Sequence, residues 1–269
     1  MERNRKLRGP IKAIISDMDG VLWRGMFALP GLGEFFDLLF ARDLDFVLAT
    51  NNSRNTPADY VRKLAKLGIA GLQERHIVTS GTATISYLQT RYPPGSELFV
   101  VGGDGLKQMV VRAGYSLVES GAVAVVCGID FDLTYGKLRT ATLLIRGGAD
   151  FIGTNPDSSF PSPEGLVPGA GSILALLEAA SGRAPIIIGK PRRGMFEAAL
   201  RTLGTSPQAT LMIGDRINTD IAGAKALGIR TALVMTGVET PQSLSASEIQ
   251  PDYVFAGLPE LLAALAEAI

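Results

Sequence analysis

Short apolar runs alternate with stretches of helical spacing along the whole chain, and that alternation constrains the fold more than any other feature. The runs fall at 11–17, 45–50, 76–79, 98–102, 123–128, 151–154, 185–189, 210–214, 231–235 and 252–256. A strand buried on both faces reads as a nearly continuous hydrophobic run, and strands alternating with helices build α/β sheets. The pattern therefore predicts an α/β fold with a mostly parallel sheet. Helical spacing is clearest at Leu32, Phe35, Phe36, Leu38 and Leu39, and again at Tyr60, Val61, Leu64 and Leu67. Residues 194–203, 218–227 and Leu258 to Ile269 read similarly, and Gly68, Gly114, Gly204 and Gly228 stand where helix C-caps belong. Residues 155–169 concentrate Pro, Gly and Ser, which predicts a long irregular loop of functional or connective use.

The first apolar run ends in Asp17-Met18-Asp19-Gly20, placing two acids at a strand's carboxyl end, where open α/β sheets bind ligands. Crowded carboxylates disfavour each other's ionisation, and a Mg²⁺ ion resolves that repulsion. A plain polar turn is the competing reading, since turns favour Asp and Gly for backbone reasons. A calcium-binding EF-hand loop fails, because Val21, Leu22 and Ala28 stand where that loop needs a ligand, Gly and Glu.

Composition removes other classes. Lys+Arg and Asp+Glu are both 26, so no net field attracts nucleic acid or an acidic membrane surface. The basic start, Met1 to Arg8, runs into Gly9-Pro10 and a short strand rather than a secretory apolar region, and no long apolar span follows. The single Cys127 excludes an intramolecular disulfide, and the expectation is a cytoplasmic protein. One His (His76) and one Cys leave few routes to a zinc site or a nucleophilic triad. Both read as structural, Cys127 within a buried strand. Any chemistry then runs on carboxylates, lysine and backbone amides.

Other strand-like runs also end in polar residues. Run 45–50 leads into Thr50-Asn51-Asn52-Ser53, run 185–189 into Lys190-Pro191, and run 210–214 into Asp215, with Asp220 beyond it. If these strands neighbour one another in one parallel sheet, all these groups converge on one edge. Asp17 and Asp215 suit Mg²⁺, which takes oxygen ligands and often only one or two protein carboxylates. Thr50, Asn51 and the amides that follow can donate to phosphate, and Lys190 supplies a compact positive charge. A carboxylate can be phosphorylated and then hydrolysed, with a second acid moving the protons.

Taken together, Asp17-Met18-Asp19-Gly20-Val21-Leu22, Thr50-Asn51-Asn52, Lys190-Pro191 and Gly214-Asp215 through Asp220 resemble the haloacid dehalogenase superfamily of phosphohydrolases. The fuller run through Trp23, with Gly-Asp-Arg-x-x-Thr-Asp-Ile, is similar to its NagD-like, nitrophenylphosphatase-type branch. The resemblance implies a Rossmann-like parallel sheet with helices on both faces, plus a smaller inserted α/β cap domain. The core would be 1–79 and 184–269, and the cap 80–183. It further implies that Asp17 is nucleophile and Mg²⁺ ligand, and that Asp19 is general acid/base with its carbonyl on the metal. Asp215 would be the remaining ligand, and Asp220 would support the metal shell or orient Lys190. Thr50, Asn51, Asn52 and Lys190 would bind phosphate. The presence of Asp19 argues against a dehalogenase, whose relatives lack the second acid.

Other phosphate-binding patterns fail on counted residues. Ala184 and Pro191 break a P-loop around Gly189-Lys190. Leu174 breaks a dinucleotide fingerprint at Gly169-Ala170-Gly171, which also follows the expected loop. Leu133 stands where a cysteine phosphatase motif would need Arg after Cys127. The leading expectation is a Mg²⁺-dependent phosphomonoester hydrolase working through an aspartyl phosphate on a small phosphorylated metabolite such as a nucleotide or sugar phosphate. A phosphotransferase or mutase, and a non-catalytic binding protein, remain as alternatives. Nucleic-acid and membrane partners are not expected, and relatives of this kind often associate through their caps into homo-oligomers. Asn155 and Asp157 could face substrate or simply make a turn.

Overall fold

The computed structural model describes residues 7–162 and 164–268. The basic residues of Met1–Lys6, Pro163 in the expected 155–169 loop, and the Ile269 end of the expected C-terminal helix lie outside the described residues. The chain divides into two compact units.

The first unit comprises Met1–Thr50, Pro57–Val78 and Phe196–Ile269. Its six-stranded sheet runs in the order Tyr253–Phe255, Arg230–Val234, Thr210–Gly214, Ala13–Ser16, Asp45–Thr50, Ile77–Thr79. Ala13–Ser16 pairs in parallel with both neighbours, Ala13 lying opposite Thr210 on one side and Asp45 on the other. The chain builds outward from this strand in one direction and later in the other. The strand order therefore reverses between Ala13–Ser16 and Thr210–Gly214, at the kind of switch point where open α/β sheets bind ligands. Helices Leu32–Ala41 and Leu258–Ala268 pack together, and Phe35, Phe36, Leu39, Leu261 and Leu265 join Ile14, Leu48 and Leu211 in one buried core. Each such side chain contributes about 1.5–3 kcal/mol by leaving water.

The second unit comprises Asn51–Thr56 and Thr79–Met195 and is the smaller. Its five-stranded sheet is parallel throughout, in the order Ile186–Ile187, Asp150–Gly153, Ala124–Cys127, Glu97–Val101, Ser116–Leu117. Phe99, Val125, Cys127, Ile145, Phe151 and Leu177 form its core. The fold is thus α/β, two parallel sheets flanked by helices, as the alternation of runs predicts. Among the described residues no helix is long and apolar enough to cross a membrane.

Three local expectations are corrected. Run 185–189 does not join the sheet of Asp17 and Asp215. Its Ile186–Ile187 core pairs with Ile152 and Gly153, so the second unit continues to Met195 and also takes in Asn51–Thr56. The 155–169 loop contains an antiparallel hairpin, Ser159–Ser162 with Gly165–Pro168, and Gly169-Ala170-Gly171 therefore follows a strand. Edge ribbons of two strands tolerate Pro, which is why a Pro-rich segment still pairs. Segment 218–227 begins as a π turn at Ile217–Ile221 before the short helix Ala222–Lys225. The helix Ser80–Arg91 left no apolar pattern to find, because Ser80, Gly81, Ala83 and Thr84 make up most of its buried face. Its start is held by a capping box between Thr79 and Thr82.

Candidate active site

Asp17 follows directly on the central strand, its N–H donating to the Ile213 carbonyl at 2.8 Å, so it leaves the sheet beside Asp215. One carboxylate oxygen each from Asp17, Asp215 and Asp220 lie within 4.8 Å of one another. Asp215 and Asp220 are 1% exposed, and Asp17 is less deeply enclosed. The π turn at Ile217–Ile221 brings Asp220 back to this point, where its Oδ2 accepts the Arg216 N–H at 3.2 Å. Extra-residue turns of this kind recur at functional sites.

Backbone crowds the trio closely. A Cβ at Gly237 would stand 1.8 Å from Asp215 Oδ2, and one at Gly214 would stand 2.3 Å from Asp220 Cβ. Gly20, at φ +86, would place a Cβ 2.4 Å from Asp215 Oδ2, so it needs both its left-handed conformation and its missing side chain. Asp215 Oδ2 accepts the Val238 N–H at 3.0 Å, while its buried Oδ1 has no hydrogen-bond partner among the described residues. Burial, then the charges of Asp17 and Asp220, push the Asp215 carboxyl up to about 8, against the opposing pull of Arg216 and the Val238 N–H. A buried orphan oxygen beside two further acids is the donor set of a hard divalent cation, so these residues fit Mg²⁺.

Asp19 is exposed, unlike the trio, and its Oδ1 accepts the Trp23 indole N–H at 2.8 Å. Thr50 is buried at the end of the strand adjacent to Ala13–Ser16. In the first unit the structure thus gathers Asp17, Asp215 and Asp220, with Asp19 two residues beyond Asp17 and Thr50 at the end of the adjacent strand.

Asn51, Asn52 and Lys190 belong to the second unit. Asn51 Oδ1 accepts the Lys190 N–H at 2.8 Å, and its Nδ2 donates to the Lys190 carbonyl at 3.0 Å and to Asp157 Oδ2 at 3.2 Å. Its side-chain donors are therefore spent on positioning. Asn52 Oδ1 accepts the Arg54 N–H at 2.8 Å and closes a turn. Asn155 is buried and donates to the Asn51 carbonyl at 2.7 Å, so both polar residues of the Asn-Pro-Asp segment hold the Asn51 segment. Lys190 is 3% exposed. His76 stacks on Phe46 with centroids 4.9 Å apart, and Cys127 is fully buried, which matches their structural reading. Nothing in the residue pattern marked Val238 or Gly237. Trp23 was legible as part of the motif but not as a partner of Asp19.

Comparison with known proteins matches residues 14–116 to the family described as haloacid dehalogenase-like hydrolase, and residues 187–261 to HAD-hydrolase-like. The chain is similar to an acid sugar phosphatase of Staphylococcus aureus, 36% identical and covering 94% of this chain and 98% of that one. It is also similar to the solved 4-nitrophenylphosphatase of Thermotoga maritima, with 38% identity, TM-score 0.89, and 94% and 97% of the two chains covered. A glycerol phosphate phosphatase of Mycobacterium tuberculosis, solved in complex with magnesium, is 29% identical with TM-score 0.86, over 93% of this chain and 76% of that one.

Proposed function

Because the chain belongs to the haloacid dehalogenase-like hydrolases, as a phosphatase of their NagD-like, nitrophenylphosphatase-type branch, we propose that it hydrolyses small phosphomonoesters with Mg²⁺ through an aspartyl phosphate on Asp17. The observation that carries this reading is the buried trio of Asp17, Asp215 and Asp220 with the orphan oxygen of Asp215. Asp17, Asp215 and the Asp19 carbonyl would hold the metal, with Asp220 supporting. When bound, Mg²⁺ neutralises charge on the phosphate and on the carboxylates around it.

An Asp17 carboxylate oxygen attacks phosphorus, and the bond from phosphorus to the ester oxygen breaks. Protonated Asp19 gives its proton to that departing oxygen, so the alcohol leaves neutral. Asp19, now ionised, takes a proton from water, whose oxygen attacks the phosphorus of the aspartyl phosphate. Inorganic phosphate leaves and Asp17 is restored. The order of motifs assigns phosphate contacts to Thr50, Lys190 and the backbone N–H groups of Asn51 and Asn52. The second unit, inserted between the runs that carry Thr50 and Asp215, serves as the cap that sets substrate choice. The names of the similar proteins favour sugar and polyol phosphates as substrates. The test is Asp17→Asn assayed on phosphorylated metabolites with Mg²⁺. Loss of turnover with a melting temperature no lower than that of the wild type is expected, and undiminished hydrolysis would overturn the mechanism.

A further inference from the structure

We propose that Trp23 is the positioning residue of Asp19, confining the transferable proton of that carboxyl to Oδ2. The inference rests on the acid/base reading of Asp19 given above. An exposed carboxylate on a turn ordinarily samples several rotamers, and proton transfer needs one of them held within reach of the reacting oxygen. Asp19 is held by a residue that is itself immobile. Trp23 is 0% exposed, and its Nε1–H reaches Asp19 Oδ1 at 2.8 Å. An indole N–H only donates. Oδ1 is therefore the acceptor whether Asp19 is charged or neutral, and a proton on the carboxyl sits on Oδ2.

The turn between the two residues is closed by its own backbone. Gly20 N–H donates to the Trp23 carbonyl at 2.7 Å, Leu22 N–H donates to Met18 at 2.8 Å, and the Thr236 hydroxyl donates to the Gly20 carbonyl at 2.7 Å. Helix Pro57–Lys66 seats the indole from the side. Tyr60 stacks on it with ring centroids 6.5 Å apart and planes 16° apart, and Lys63 Nζ lies 4.0 Å from the ring centroid. Tyr60 and Lys63 are three residues apart and so share a helix face. A cation over an indole face draws electron density from the ring, which makes its N–H a stronger donor. Trp23 fixes the direction of Asp19, and Lys63 strengthens the bond that does so.

A positioning role for a general acid is felt in proportion to how much the leaving group needs a proton. An alkoxide needs one, and 4-nitrophenolate does not. The experiment compares kcat/KM, which reports the step that phosphorylates Asp17, for 4-nitrophenyl phosphate and for the better alkyl substrate of glycerol phosphate and a hexose phosphate, all with Mg²⁺. Trp23→Phe keeps an aromatic ring and removes the donor. It is expected to lower the alkyl value by about tenfold or more, within the range general acids contribute, and the nitrophenyl value by less than about threefold. Equal losses on both substrates, or no loss, would overturn the proposal. Asp19→Asn in the same assay separates the two readings, since full activity of that variant on the alkyl ester overturns the acid/base reading itself.

Two measurements do not depend on the folding of Trp23→Phe. Lys63 is half-buried, and Lys63→Gln should show the same contrast between substrates at about threefold. Trp23 is the only tryptophan, so Asp19→Ala should shift the intrinsic emission maximum of the otherwise intact protein. An unmoved maximum, or no contrast in Lys63→Gln, overturns the proposal.

Discussion

Asn51 and Lys190 hold each other by a reciprocal pair of hydrogen bonds. The Lys190 N–H donates to Asn51 Oδ1 at 2.8 Å, and Asn51 Nδ2 donates back to the Lys190 carbonyl at 3.0 Å. A side-chain amide here takes the place of a neighbouring strand for a residue just past the edge strand Ile186–Ile187. The second Nδ2 proton goes to Asp157, so the amide orientation is determined on both sides.

Asn51→Leu, which keeps the branching and removes all three bonds, should lower stability by about 1–3 kcal/mol, the cost of removing partners from enclosed polar groups. A denaturant midpoint equal to that of the wild type would show that the clamp carries no stability.

Metal and pH are linked through Asp215. Its carboxyl is raised from 3.8 to about 8, chiefly by burial and then by Asp17 and Asp220, so between those values the folded protein without metal binds the extra proton. Stability then falls as pH rises through that window, and the favourable contribution is complete only below the unfolded value. Thermal melts in chelator should therefore show a decline from pH 5 to pH 8 that Asp215→Asn flattens. Mg²⁺ should raise the melting temperature more at pH 8 than at pH 6, because binding must first displace that proton. A Mg²⁺ effect larger at pH 6 contradicts this linkage.

Gly237→Ala tests the glycine wall. Its Cβ would stand 1.8 Å from Asp215 Oδ2, so the carboxylate must move. Disturbing the groups that orient a metal ligand costs roughly 10–100-fold in metal affinity. Activity titrated with Mg²⁺ should show a midpoint shifted upward by that factor, whereas an unshifted titration would mean the carboxylate had not been displaced.

Cys127 should be inert in the folded protein. Full burial, with Asp130 adding to it, holds the thiol well above its ordinary range. A thiol reagent added at pH 8 should report no reaction in buffer and one equivalent in denaturant. Rapid labelling of the native protein would contradict the buried placement.

Much of this molecule follows from local order in the chain. The apolar runs 45–50 and 210–214 became strands with those bounds, because a strand buried on both faces leaves no alternation to obscure it. Asp17 and Asp215 stand at strand ends for the same reason. The helix Ser80–Arg91 and the hairpin Ser159–Ser162 with Gly165–Pro168 were not legible. One buries small and polar residues, and the other pairs through backbone that Pro and Ser do not advertise.

By itself, the sequence determined that acids stand at the ends of buried strands and that the chain is α/β, since both depend on residues adjacent in the chain. Only the tertiary structure decided which strands share a sheet, and with that the placing of Asn51 and Lys190 in the second unit. It also decided that Asp215 keeps an orphan oxygen and that Asp19 leans on Trp23. Each of these depends on partners chosen by packing, and a side chain's partner is set by the space the whole fold leaves around it rather than by its neighbours in sequence.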